Sequence, residues 1–269
     1  MNRRTRDRRA SPRYSEVVVG GLKTARLSRQ GMAALMVDDC LASRRRERTP
    51  RLIFTANGHS IALAATDAKF RAQLKAANLI HADGQPVVWA SKMTRSPIPE
   101  RTATTDFIHD AAAQAQKHGL KFFLLGASED INARCAETLK KHYPALEIAG
   151  RRHGYFRRHG EERQVCEAIN TSGADVVWVG LGVPLEQDFC VRNKTQLNAG
   201  WLVTSGGLFN FVAGDYTRAP QWMQALSLEW LYRLAREPGR LFWRYATTNP
   251  LAALMMMLRT RTPKGRMTP

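Results

Sequence analysis

The sequence predicts an α/β fold: a mostly parallel sheet with covering helices, followed by a helical C-terminal appendage. Three observations predict it. Short β-rich apolar runs alternate with stretches of helical period, the helical stretches stop at Gly or Pro, and the strand-like runs cease after Arg218-Ala219-Pro220. A chain that alternates in this way returns to the sheet through a helix each time, so neighbouring strands run parallel.

The strand candidates are Val17–Val19, Leu52–Phe54, Leu79–Ile80, Phe122–Leu125, Val176–Val179 and Leu202–Val203. Between them Thr105–Lys117, Ile131–Tyr143, Glu161–Asn170 and Pro184–Leu197 read as helices, with Gly119, Pro144 and Gly173 at their ends. Two further helical segments follow, Trp222–Arg236 and Arg240 onward, interrupted by Glu237-Pro238-Gly239 and again by Asn249-Pro250. The expected organisation is a basic disordered tail over residues 1–15, an α/β core over 16–217 and the helical, membrane-proximal appendage over 218–269.

The chain has 269 residues and 44% apolar content, enough for a substantial core. Lys plus Arg number 41 against 23 acids, a net charge of +18, so its partners are expected among polyanions: nucleic acid, anionic lipid or diphosphates. Arg3, Arg4, Arg6, Arg8, Arg9 and Arg13 crowd the start, and Arg233, Arg236, Arg240, Arg244, Arg259 and Arg261 the end. The first stretch lacks the apolar segment of a secretory signal, and the widely spaced Cys40, Cys135, Cys166 and Cys190 form no CxxC pair. Both features lead to the expectation of a cytoplasmic protein without disulfides or a zinc site. Leu251–Leu258 is too short to span a bilayer, which takes about 20 apolar residues. With Phe242, Trp243, Arg244 and Tyr245 before it, this segment has the composition of an interfacial anchor, and suits equally a helix packed on its own domain.

In a parallel sheet, ligands collect beyond the carboxyl ends of the strands. Thr55-Ala56-Asn57-Gly58-His59 follows one strand candidate and His81-Ala82-Asp83-Gly84 the next. An Asp there can accept a proton from an incoming hydroxyl, and Thr and Asn supply directional hydrogen bonds. The same spacing fits a turn in which Asp83 caps the next helix. His59 and His81 have no third ligand at metal-binding spacing, so no metal is expected. Two other strand ends are glycine-rich, at Gly126 and at Gly180-Leu181-Gly182-Val183-Pro184, and Glu186 and Gln187 fall in the helical turn that follows. Backbone N–H groups in such loops approach phosphates closely. Neither loop is GxGxxG or GxxxxGK[ST], and no D-x-D triplet occurs, so diphosphate charge falls to arginines such as Arg101 and Arg218 and to helix starts. Arg233 and Arg236 share a helix face with Glu229 one turn earlier, a spacing that also suits a solvated basic face.

Taken together, Thr55-Ala56-Asn57-Gly58-His59, Ala82-Asp83-Gly84-Gln85-Pro86-Val87-Val88, Pro99-Glu100-Arg101, Phe123-Leu124-Leu125-Gly126 and Gly180-Leu181-Gly182-Val183-Pro184 resemble the bacterial WecG/TagA/CpsF glycosyltransferase family. So do Gly150 with His153-Gly154-Tyr155-Phe156, Gly206-Gly207 with Ala213-Gly214, Arg218-Ala219-Pro220, Glu229-Trp230-Leu231-Tyr232-Arg233-Leu234 and Glu237-Pro238-Gly239-Arg240. The resemblance runs from about Val17 to about Tyr245. It implies a Rossmann-like core and inverting, metal-independent transfer from a UDP-sugar, without a cofactor. The donors implied are UDP-N-acetylmannosamine, its uronic acid or UDP-glucose, and the acceptor is a polyprenyl (undecaprenyl) diphosphate-linked saccharide. It further implies Asp83 as base, with Thr55, Asn57 and Arg101 beside it. Donor binding falls to Gly126, Gly180, Gly182, Pro184, Glu186, Gln187, Gly206 and Gly207. Arg218, Arg233, Arg236 and Arg240 are implied for the acceptor diphosphate and an anionic membrane surface on the inner face of the cell membrane.

The family commonly reads Pro-Lys-Gln-Glu where this chain has Pro184-Leu185-Glu186-Gln187, an order shared with an exopolysaccharide branch. The rival readings are a nicotinamide-dependent Rossmann oxidoreductase, which lacks its glycine fingerprint, and a basic nucleic-acid-binding protein, which lacks RNP, KH and helix-turn-helix signatures. No nucleic-acid partner is therefore expected, and homo-oligomerisation is compatible with the sequence.

Overall fold

The structure, a computed structural model, describes residues 14–45, 49–157, 160–226 and 228–263; the side chains of residues 224, 225 and 240 lie outside what it describes. It opens with β1 (Glu16–Val19), β2 (Leu22–Ala25) and α1 (Arg29–Arg44), then β3 (Arg51–Ala56), α2 (Gly58–Thr66), α3 (Ala68–Lys75), β4 (Leu79–Ala82) and α4 (Gln85–Ser91). There follow α5 (Thr104–His118), β5 (Lys121–Gly126), α6 (Glu129–His142), β6 (Glu147–Arg152), α7 (Glu162–Ser172) and β7 (Val176–Gly180). The core ends with α8 (Leu185–Asn193), β8 (Trp201–Thr204) and α9 (Leu208–Val212), and the appendage comprises α10 (Gln221–Ala225), α11 (Glu229–Arg236) and α12 (Pro238–Leu258).

Six strands pair in the order β4-β3-β8-β7-β5-β6, every neighbour parallel. The central strands are buried along almost their whole length, as their near-continuous apolar runs require when helices cover both faces. On one face Phe107 packs against Trp178 at 5.8 Å between ring centroids, and Phe122 meets Trp178 at 5.6 Å. All three rings are fully buried. Gly119 and Gly173 close α5 and α7 in the left-handed conformation, at φ 61° and 66°.

Several expectations are corrected. Val17–Val19 is not part of the parallel sheet: it pairs antiparallel with β2 in a separate hairpin. The two glycines between these strands, at φ 58° and 87°, allow a two-residue turn, and a tight turn returns the chain antiparallel. Of the segment expected as a tail, Tyr14 is held to the core: its ring is buried and its hydroxyl donates to the Asn78 carbonyl at 2.8 Å. The remainder of the tail lies outside the described residues. β6 escapes the apolar-run criterion because it is an edge strand, only partly covered. The helix expected over Pro184–Leu197 is shorter, and Trp222–Arg236 is two helices rather than one.

Glu237-Pro238-Gly239 does mark a break, with Pro238 in the first turn of α12, but Pro250 does not end that helix. Pro250 lacks the N–H that would satisfy a preceding carbonyl. The loss is offset by packing, since Ala252 and Met256 beyond it are buried with the core cluster that includes Ile61 and Ala62 of α2. The hydroxyls of Thr247 and Thr248 bond to the carbonyls of Trp243 and Arg244, steadying the turn before it. The chain then bridges back to the hairpin, where Val18 and Arg261 exchange backbone hydrogen bonds at 3.1 and 2.9 Å. Among the described residues no helix is long and apolar enough to cross a membrane.

The aromatic layer on the sheet sets a stability test: Phe107→Ala should cost about 3–5 kcal/mol, read as a lower denaturant midpoint with unchanged slope.

Candidate active site

Parallel pairing brings the carboxyl ends of β3, β4, β8, β7 and β5 to one edge of the sheet, so Thr55, Asp83, Gly206, Gly180 and Gly126 share that edge. At its β4 end the polypeptide is stapled closely. Asp83 N and Gly84 N both donate to the Ala56 carbonyl, at 3.0 and 3.2 Å. Thr102 N donates to the Ala82 carbonyl at 2.8 Å, and Arg101 Nε to the Asp83 carbonyl at 2.7 Å.

The Asp83 side chain is held on both oxygens. Oδ1 accepts from Thr104 N at 2.9 Å and Thr104 Oγ1 at 3.2 Å, and Oδ2 accepts from Asn57 Nδ2 at 3.2 Å. Asn57 is itself fixed, because its Oδ1 and backbone N–H form a reciprocal capping box with Ser60 at the start of α2. Burial pushes the Asp83 carboxyl up, but the charge of Arg101 and the bonds from Thr104 and Asn57 outweigh it. The net direction is below the usual carboxylate range. Asp83 does cap a helix: not the next one, whose cap position is Gly84, but α5, whose first N–H it accepts. The N-terminal dipole of α5 adds to the stabilisation of its negative charge.

Thr55 is buried on β3, in register with His81. His81 is fully buried with Nδ1 2.8 Å from the Thr102 carbonyl, and burial lowers its pKa despite the neighbouring Asp83. Burial, and then Arg244, brings His59 down to about 4. Both rings are therefore neutral near pH 7. Among the described residues no three His, Cys, Asp or Glu side chains converge as metal ligands.

The glycine loops have a role the sequence did not disclose. A Cβ on Gly126 would lie 2.3 Å from the Gly180 carbonyl oxygen, and one on Gly180 would lie 3.0 Å from that of Gly206. These glycines let the strand ends approach one another. The N–H groups of Gly182 and Gly206 donate at 3.2 and 3.0 Å to one oxygen of Glu186, which is fully buried. In this structure the two N–H groups expected to face phosphate are directed at the Glu186 carboxyl group. Gln187 Nε2 approaches the other oxygen at 3.3 Å, and Pro184 directly precedes α8. Gly207 leads into α9.

The late arginines divide. Arg218 reaches Asp106 on α5 and, at 3.7 Å, Glu229 on α11; Arg101 pairs with the other Glu229 oxygen at 2.5 Å. Arg233 stands over the Phe211 ring at 5.8 Å and, with Arg236, Tyr216 and Tyr232, lines a cavity of about 260 Å³ between α9 and α11. The Arg240 side chain lies outside what is described. Thr104, Asp106 and the bridging role of Glu229 were not read from the sequence. Thr104 carried one usable signal, a hydroxyl residue at the start of a helical stretch just after Arg101.

Residues 17–266 match the sequence model of the Glycosyl transferase WecG/TagA/CpsF family. Among similar proteins are those named N-acetylglucosaminyldiphosphoundecaprenol N-acetyl-beta-D-mannosaminyltransferase from two bacilli. The Bacillus spizizenii (strain W23) protein is 32% identical over 198 residues, covering 74% of this chain and 75% of the relative. The Bacillus subtilis (strain 168) protein is 30% identical over 213 residues, covering 79% and 81%. A Staphylococcus aureus (strain MRSA252) protein of the same name is 29% identical over 181 residues, covering 67% and 70%.

Burial raises the Glu186 carboxyl to about 7, against the hydrogen bonds of Gly206, Gly182 and Gln187 that pull it down. Between the ordinary glutamate range and pH 7 the folded state therefore binds the proton more tightly than the unfolded state. The Glu186 contribution to stability is full below that window and is lost as pH rises through it. Glu186→Gln, which keeps a side-chain carbonyl for the two N–H groups, should gain in melting temperature relative to the parent as pH rises from about 4.5 to 8. A difference independent of pH would refute this account of Glu186.

Proposed function

The chain belongs to the WecG/TagA/CpsF family and is a glycosyltransferase, and from that premise we propose that it moves a hexose-type sugar from a UDP-sugar to an undecaprenyl-diphosphate-linked saccharide. The names of the relatives support N-acetylmannosamine as the sugar and lipid-linked N-acetylglucosamine as the acceptor. The product belongs to a cell-surface polymer, exopolysaccharide included.

The observation that carries the mechanism is the Asp83 carboxylate, ionised and aimed by Asn57 and Thr104 at the sheet edge. In a single displacement Asp83 takes the proton of the acceptor hydroxyl. That oxygen bonds to the anomeric carbon as the bond to the diphosphate oxygen breaks, and UDP departs with the electron pair. The configuration inverts. Thr55 and Asn57 line the pocket, and Gly126, Gly180, Gly207, Pro184 and Gln187 shape the donor side. Arg101, Arg218, Arg233, Arg236 and Arg240 neutralise diphosphate charge, so the reaction is metal-independent.

The same arginines and the exposed aromatics of the appendage support recruitment to the inner face of the cell membrane. Trp222, Phe242 and Trp243 are 61%, 52% and 73% exposed. Large aromatics beside arginines suit the headgroup layer, where each basic residue contributes about 1 kcal/mol. Leu251–Leu258 is divided between the two roles: Ala252 and Met256 are buried, while Leu254, Met257 and Leu258 are exposed. A truncation after Thr217 would remove buried Leu241, Ala252 and Met256 from the fold, so point substitutions are the sound probe.

Incubating the protein with a panel of UDP-sugars and a lipid-linked N-acetylglucosamine acceptor should give a mass gain of one sugar, undiminished in excess EDTA. Asp83→Asn should lower the rate roughly 10²- to 10⁴-fold. A loss below about tenfold would remove Asp83 as base, and activity abolished by EDTA and restored by Mg²⁺ would overturn metal independence. The triple change of Trp222, Phe242 and Trp243 to Ser should reduce sedimentation with anionic vesicles while UDP binding persists; unchanged sedimentation would sink the membrane reading.

A further inference from the structure

Glu229 opens α11, a helix with no fully buried residue; Arg233 of that helix stands over the Phe211 ring, and Glu229 itself meets the core through charge. One Glu229 oxygen lies 2.5 Å from Arg101 Nη1 and the other 3.7 Å from Arg218 Nη2. Arg218 also reaches Asp106 on α5, and Arg101 donates through Nε to the Asp83 carbonyl. These four side chains are only 20–33% exposed, so their charges are partly shielded from water.

We propose that Glu229 is a positioning residue for sugar transfer: it clamps Arg101 and Arg218 across the boundary between core and appendage, and through Arg101 it fixes the Asp83 loop. The inference rests on the reading of Asp83 as the base. A guanidinium is planar, and two anchored donors define both its place and its plane, whereas one leaves it free to turn. Arg101 has these two anchors, Asp83 O at Nε and Glu229 at Nη1. Without the Glu229 charge, Arg101 keeps only the first and can swing toward the Asp83 carboxylate, whose oxygens already accept from Asn57 and Thr104. The charge balance changes as well. Glu229 is the carboxylate that Arg101 and Arg218 share, and Glu229→Gln withdraws its negative charge from both.

The test is steady-state transfer kinetics with Glu229→Gln and Glu229→Asp, alongside UDP binding by thermal shift. Glu229→Gln keeps the shape and loses the charge; Glu229→Asp keeps the charge with shorter reach. Glu229→Gln should lower kcat roughly ten- to hundredfold, with KM for the UDP-sugar within about threefold of the parent and UDP binding retained. Glu229→Asp should recover part of the lost kcat. Parental kcat in Glu229→Gln, a loss confined to KM or UDP binding, or no recovery in Glu229→Asp would overturn the proposal. A parent protein that transfers no sugar in the same assay would instead overturn the proposed function.

Discussion

Parallel pairing is the constraint from which the rest of this molecule follows. It sends the strands out at one edge, and the ends of β5, β7 and β8 are so close that a single Cβ on Gly126 would collide with the Gly180 carbonyl. Backbone carbonyls and N–H groups crowd at that edge and need partners. Glu186 supplies one for two of the N–H groups, and the chain around Ala82 and Asp83 is stapled by the loop that carries Arg101 and Thr102. A rigid floor results, and the side chains proposed for chemistry stand on it.

Two carboxylates at this floor are driven in opposite directions by their surroundings. Both suffer desolvation. Asp83 also receives an amide, a hydroxyl, a backbone N–H and the field of Arg101, and stays charged. Glu186 has three hydrogen bonds but no cation among its partners, and is repelled by Asp83, so its proton is retained to about pH 7. The pair thus divides the labour by environment rather than by residue type: a permanent anion at the strand end, and a titratable tie beneath the loops.

The appendage is joined to the core by two different kinds of force. α12 is seated by apolar packing, with Ala252 and Met256 in the core beside α2, and by a backbone bridge to the hairpin. α11 contributes no buried residue, and its Glu229 meets the core through charge. Salt screens partly exposed ion pairs and leaves apolar packing largely untouched.

The α/β class, the helix stops at Gly119 and Gly173, and the strand ends bearing Asp83 and Asn57 were legible from the sequence, because apolar runs and left-handed glycines act over a few residues. The family was legible too, from ordered motifs that keep their spacing. What only the tertiary structure decided was pairing between distant segments. Val17–Val19 left the parallel sheet for a hairpin, and Pro250 stayed inside a helix because residues beyond it found a core to fill. The N–H groups of Gly182 and Gly206 went to Glu186, and Asp83 capped α5 across 21 residues of chain. Local propensity sets which elements form. Which charge meets which donor is set by the free energy of burying them together, and that is fixed only once the sheet has brought their strands side by side.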